Sequence, residues 1–281
     1  MADPAAILRR LGRVVPERLE LALAVDRALG GTPFEGDPRE VHPLVVPLSI
    51  HDGDPMGLLL WPGAEADEPI PVVRQGPAGL HFHAASVDAW AHEGLALLDM
   101  SGEPAIENDL YAPGTLAATR LPLNAYVLIR VGAAPRHLEP LANAHLHRGD
   151  IEAALVTADR SCRSAPGFAR PHAFRADLLA QLGREDEARD GARTALLEPV
   201  WTLGARFEPV AELAGWKPPF RSDPFWQLAR DESKPLLDRA AHVMDAIAAE
   251  GKPWSAARSE VAALYEKAGL GAMAEWIADA T

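Results

Sequence analysis

The sequence predicts an α+β protein: a small mixed α/β N-terminal domain with a short antiparallel sheet over residues 1–132, then an all-α helical array over 133–281. Two patterns carry this prediction. Between Thr32 and Ser86 short apolar runs alternate with Gly, Pro and Asp, as strands alternate with turns. From about Pro135 onward, apolar and small residues recur at helical spacing, and one stretch repeats itself 34 residues later.

The chain opens in helix. Asp3-Pro4 provides an N-cap followed by proline at the first helical position, and Ile7, Leu8 and Leu11 share one face. Pro16 restarts the pattern, which Leu19, Ala22, Leu23 and Leu29 carry to the stop at Gly30-Gly31. Strands are expected over Leu44–Ile50, Gly57–Trp61, Ile70–Arg74 and Gly79–Ala84, joined as an antiparallel meander. Ser86 then caps a helix whose stripe is Val87, Trp90, Ala91, Leu95 and Leu98. Residues 101–122 read as loop. Ala125–Val131 is ambiguous, because its β-branched content favours a strand while the chain beyond it is helical.

The repeat is centred on Gly149 and Gly183, which lie 34 residues apart. Ala142 and Ala176 precede the glycines by the same interval, and Ala154, Ala158, Ala188 and Ala192 follow in register. Pro166 and Pro199 close the two units. Small residues let two antiparallel helices approach closely, glycine accepts the left-handed turn between them, and proline ends the second helix. This pattern resembles the tetratricopeptide repeat (TPR), a helix–turn–helix unit of that length, over two units at about 135–202. Val200–Ala214 starts like a third unit but runs into the connector Gly215–Pro224. Helices over Asp223–Asp231, Lys234–Ala249, Pro253–Ala268 and Gly271–Ala280 are expected to cap the array, with the N-terminal domain covering its other end.

The resemblance implies a protein or peptide partner bound along the first helix of each unit. Its register puts Arg136, Glu139, Asn143, Leu146 and His147 on that surface in the first unit, and Arg170, Ala173, Phe174, Asp177 and Gln181 in the second. TPR grooves that hold carboxylate tails use basic residues with Asn. Asn143, Arg136 and Arg170 echo that set, but Asp177 opposes an anion, so a peptide of mixed character fits better. Among the tryptophans of the second half, Trp216 is the expected exposed anchor and the others are expected to fill the core.

Composition narrows the remaining classes. With 27 Lys+Arg against 40 Asp+Glu, the net charge of −13 excludes nucleic acid and anionic membrane as partners, because binding there draws on clustered cations. No apolar run approaches the ~20 residues of a membrane span. The N-terminus lacks the apolar stretch of a secretory signal, which leads to the expectation of a cytoplasmic protein. No nucleotide or serine-hydrolase motif occurs, so no catalytic residue and no cofactor is assigned. Cys162 falls at the end of a repeat's second helix, where a small thiol packs as core and no basic group is placed to activate it. The chain therefore reads as a non-enzymatic interaction or assembly scaffold. One alternative is a metal-dependent enzyme using His81 and His83, which share a strand face, with a third ligand from His51, His92, Glu93 or Asp54. Another is a homo-oligomeric structural component.

Overall fold

The computed structural model describes residues 3–217 and 222–279. Residues 218–221 of the expected connector, and Ala280 at the end of the expected last helix, lie outside the described residues. The architecture is α+β, with an antiparallel sheet followed by helices.

Helices α1 (Pro4–Arg10) and α2 (Leu19–Ala28) lead into five strands: β1 (Thr32–Pro33), β2 (Val45–His51), β3 (Asp54–Leu59), β4 (Val72–Gly76) and β5 (Gly79–Ala84). The strands pair in chain order, each antiparallel to the next. Asp52-Gly53 turns β2 into β3 with both residues at positive φ. Gly57 faces Pro47 across that pair, where a Cβ would stand 2.5 Å from the Val46 carbonyl, and the β2–β3 register shifts between Pro47 and Ser49. Ser86 Oγ caps α3 (Val87–Ser101) by accepting from the Ala89 amide at 3.1 Å. α2 lies close against α3 because Gly94 has no side chain: a Cβ there would meet Val25 at 2.3 Å.

Residues 101–122 are not all loop, since a single turn, α4 (Thr115–Thr119), interrupts them. Ala125–Val131 is helix rather than strand: α5 (Leu123–Tyr126) runs on into a π-helical turn at Val127–Val131. Tyr126 and Val127 are buried beside Leu95 and Leu98 of α3, so packing onto one helix face outweighs β propensity.

Two antiparallel helix pairs follow, α6 (Pro135–His147) with α7 (Ile151–Ser164), and α8 (Ala169–Gln181) with α9 (Glu185–Ala195). Gly149 and Gly183 make the turns at φ 79° and 72°. Ala142, Ala154, Ala158, Ala176, Ala188 and Ala192 are all fully buried between helices. The stretch 200–214 is not a helix of a third pair. It breaks into a 3-10 turn at Val200–Thr202 and α10 (Phe207–Leu213), with Gly204 at positive φ packed on the His81 ring.

The chain ends in α11 (Asp223–Arg230), α12 (Leu236–Glu250), α13 (Ser255–Lys267) and α14 (Gly271–Asp279). They do not simply cap the far end of the array. Val261, Tyr265 and Ile277 join the same core cluster as Val46, Leu58, Val72 and Leu80 of the sheet. His42 seals this junction, fully buried with its ring 4.2 Å from Trp201 and 4.4 Å from Trp254.

Candidate functional site

The surface built by α6 and α8 begins with a cross-pair salt bridge. Arg170 Nη2 donates to Glu139 Oε2 at 2.8 Å, tying the first helix of one pair to the first helix of the other. Burial pushes the Glu139 carboxyl up, and the Arg170 guanidinium draws it back. Around this bridge Asn143 and Leu146 are half-buried, while His147, Asp177 and Gln181 are exposed. These groups offer hydrogen-bond donors and acceptors of both signs on two rigid helices.

Three of the residues expected here have other occupations. Arg136 turns to the sheet, where its Nε donates to the His83 carbonyl at 2.9 Å and its Nη2 pairs with Glu93 Oε2. Its neighbour His137 meets the other Glu93 oxygen at 2.9 Å, so residues 136 and 137 dock α6 onto α3 and β5. Phe174 is only 7% exposed and packs with Ala142, Ala154, Ala158 and Leu178. Ala173 is buried on the opposite side of α8 with Ala169 and Ala192. A helix face that meets two neighbours at once buries more of its circumference than a simple inward-facing register allows.

Trp216 keeps 36% of its surface exposed and lies beside Phe207 and Phe225, with ring centroids 5.8 and 6.2 Å away. Trp201, Trp254 and Trp276 fill the core. The loop that follows α3 is tied down: Asp109 accepts from Arg18 at 2.8 Å, and Asp99 of α3 accepts from the Tyr111 hydroxyl at 2.5 Å. Burial pushes the Cys162 thiol up to about 11, the opposite of what a nucleophile needs.

His81 and His83 share a face of β5 but not an environment. The His81 ring lies against Gly76 and Gly204. His83 lines a cleft of about 300 Å³ with Asp26, His51, Arg74, Glu93 and Arg136. Burial lowers the affinity of both rings for protons, and the nearest charges adding to this are Arg170 for His81 and Arg136 for His83. Guanidinium groups beside both rings repel a metal cation as they repel a proton. Among the described residues no group of three His, Cys, Asp or Glu side chains comes together to hold a metal. The cleft itself was not legible as a site, because its residues come from five separate segments.

Comparisons with known proteins agree along most of the chain. The PAB N-terminal family model matches residues 13–128, the PAB middle domain 135–217 and the PAB C-terminal domain 227–280. No solved structure matches. A relative in Arabidopsis thaliana, named Protein IN CHLOROPLAST ATPASE BIOGENESIS, chloroplastic, is 34% identical over 281 aligned residues, covering 91% of this chain and 84% of the relative. That name places the relative in the chloroplast and corrects the expectation of a cytoplasmic protein. A net charge of −13 speaks to solubility and not to compartment, so it could not separate a plastid interior from a cytosol. Among the described residues no helix is long and apolar enough to cross a membrane. Three consecutive domain matches and a relative of this identity over nearly the full length show that the chain belongs to the PAB family.

Proposed function

We propose that this protein is a non-enzymatic assembly factor that holds a subunit of an ATPase during its biogenesis. The observation that carries the reading is the Arabidopsis relative, whose name assigns that protein to chloroplast ATPase biogenesis and whose sequence aligns with nearly all of this chain. The binding element is the surface of α6 and α8, two TPR-like pairs in which Glu139 and Arg170 fix the helices and Asn143, His147, Asp177 and Gln181 face the partner. Support comes from the chemistry of that surface: its polar groups are mixed in sign and its helices are rigid, which suits an extended or helical segment of a client protein. Holding a subunit by complementarity needs no reacting group.

Size-exclusion chromatography of the purified chain with individual ATPase subunits tests this. Co-elution with one subunit, lost on the combined Asn143→Ala, Asp177→Lys and Gln181→Ala substitution, is the expected result. No co-elution with any subunit overturns the assembly reading. Co-elution that survives the triple substitution overturns the α6–α8 surface, and self-association in place of a subunit complex favours a homo-oligomeric component.

A further inference from the structure

A groove of about 690 Å³ runs between the β3–β4 loop and the turns that close the two helix pairs, and it shares no residue with α6 or α8. The two unit-closing prolines, Pro166 and Pro199, both line it, together with Pro62, Pro69 and Pro71 of the loop. Proline fixes its own backbone and has no N–H, so these walls are rigid and poor in donors. Leu59, Trp61 and Phe82 add apolar surface. Trp61 is half-buried and held in place, with its ring 5.4 Å from Trp201 and 6.1 Å from Phe168 between centroids. Glu68 and Glu198 line the groove, and Glu65 and Asp67 stand beside Glu68 in the same loop. Among the described residues none of these four carboxylates pairs with a cation. Arg13 is the one cation in the lining. Its Nη1 donates to the Ala64 carbonyl at 3.1 Å and its Nη2 to the Glu68 carbonyl at 2.8 Å, so it holds the backbone of the loop and leaves the carboxylates in excess. The Ser164 hydroxyl is turned to the Ser161 carbonyl at 2.8 Å. The groove thus offers apolar surface and negatively charged acceptors, and an occupant has to bring the donors.

We propose that this groove docks an extended basic segment of a partner protein, with an apolar side chain against Trp61 and flanking lysine or arginine residues paired with Glu68 and Glu198. Charge decides the occupant. An acidic segment would meet four like charges, and a second copy of this chain would bring a further net charge of −13. A basic segment gains on approach from the field of the whole molecule and on docking from the carboxylates at the rim. Rigid walls of proline beside an aromatic ring suit an extended backbone, the mode in which proline-containing segments are bound in aromatic-lined grooves. The volume lies within the range that binding sites occupy. The inference goes beyond the assembly reading and does not rest on the α6–α8 surface, so either can fail without the other.

Titration of the intact chain with the peptide acetyl-Lys-Pro-Leu-Pro-Arg-amide, followed by NMR of the Trp61 indole N–H, tests it. A saturable shift is expected, with a dissociation constant of roughly 0.1–1 mM for so short a segment, weakening as salt is raised. The combined Glu68→Lys and Glu198→Lys substitution should weaken binding about tenfold, and both side chains reach solvent, so the fold is kept. The Asn143→Ala, Asp177→Lys and Gln181→Ala variant should bind the peptide like the wild type, which separates this groove from the α6–α8 surface. Absence of saturation in the wild type overturns the proposal, as does binding that the charge reversal leaves unchanged. Equal binding of acetyl-Glu-Pro-Leu-Pro-Glu-amide overturns the basic character of the occupant, and equal binding of acetyl-Lys-Pro-Ser-Pro-Arg-amide overturns the apolar contact with Trp61. Dimerisation of the free chain that the peptide reverses would overturn the partner assignment in favour of a second copy.

Discussion

The Arg258 guanidinium donates to the backbone carbonyl of Val41 at 2.8 Å, across 217 positions of sequence. The same side chain, 5% exposed, also donates to the carbonyls of Pro38 (2.5 Å), Arg39 (3.1 Å) and Ile277 (3.0 Å). One α13 residue thus binds the segment ahead of β2 and the end of α14 together. Burial lowers its pKa to about 10, which still leaves it charged at neutral pH.

Arg258→Met removes the donors and strands several buried carbonyls. We expect a loss of at least about 3 kcal/mol in urea unfolding, since each unpartnered buried acceptor costs roughly 1–3 kcal/mol. Arg258→Lys should recover only part of this, because an ammonium cannot reach four carbonyls in a fork geometry. A loss below about 1 kcal/mol for Arg258→Met would contradict the reading.

Gly79 starts β5 at φ +116°, and a Cβ there would stand 2.4 Å from the Trp201 carbonyl. Gly79→Ala must therefore push β5 off the 3-10 turn as well as strain the backbone, at about 2 kcal/mol or more. Gly53→Ala, at φ +88° with open space around it, should cost about 1 kcal/mol. Thermal melts of the two variants measure the difference, and equal shifts would mean that the Trp201 contact does not constrain the strand.

Asp245 on α12 is buried and accepts from the Val200 amide at 2.6 Å, yet burial raises its pKa to about 7. In the unfolded chain it ionises near 3.8, so between about pH 4 and pH 7 the unfolded state releases a proton that the folded state keeps. This group's contribution to stability is complete in acid and is lost as pH rises toward 7, by at most roughly 4 kcal/mol. Asp245→Asn cannot ionise and retains an oxygen to accept from Val200. It should be more stable than the wild type at pH 8 and indistinguishable near pH 4. Parallel stability curves from pH 4 to pH 8 would contradict this.

Glu93 is shared by Arg136 and His137, and losing Arg136 leaves a carboxylate that is 8% exposed without its guanidinium, whereas Arg136 itself is 33% exposed and keeps contact with water. Arg136→Met should destabilise the protein by roughly 3 kcal/mol, Glu93→Gln by less because Arg136 reaches solvent, and the double variant by clearly less than their sum. A double-mutant cycle by chemical denaturation gives the coupling, and additivity would show that the pair does not dock α6 on the sheet.

What the sequence shows and what it hides follow from the range of the interactions. The ends of β2 to β5 and of α3 are marked by local chemistry, namely Asp52-Gly53, Gly76, Gly79 and Ser86. The paired helices announce themselves through small residues repeated at a fixed offset. Nothing local marks Arg136 as a docking residue, because its partners Glu93 and His83 are 43 and 53 positions away. Phe174 has the spacing of a surface residue and becomes core only because α8 has neighbours on two sides. The return of α13 to the sheet rests on Arg258, which in sequence is one charged residue on a helix like any other.

The direct measurement of the central claim is hydrogen–deuterium exchange of the full chain with and without the subunit partner that chromatography identifies. The account predicts slower exchange in α6 and α8, residues 135–147 and 169–181, and unchanged exchange in α13 and α14. Protection confined to α11–α14, with α6 and α8 unaffected, would contradict it.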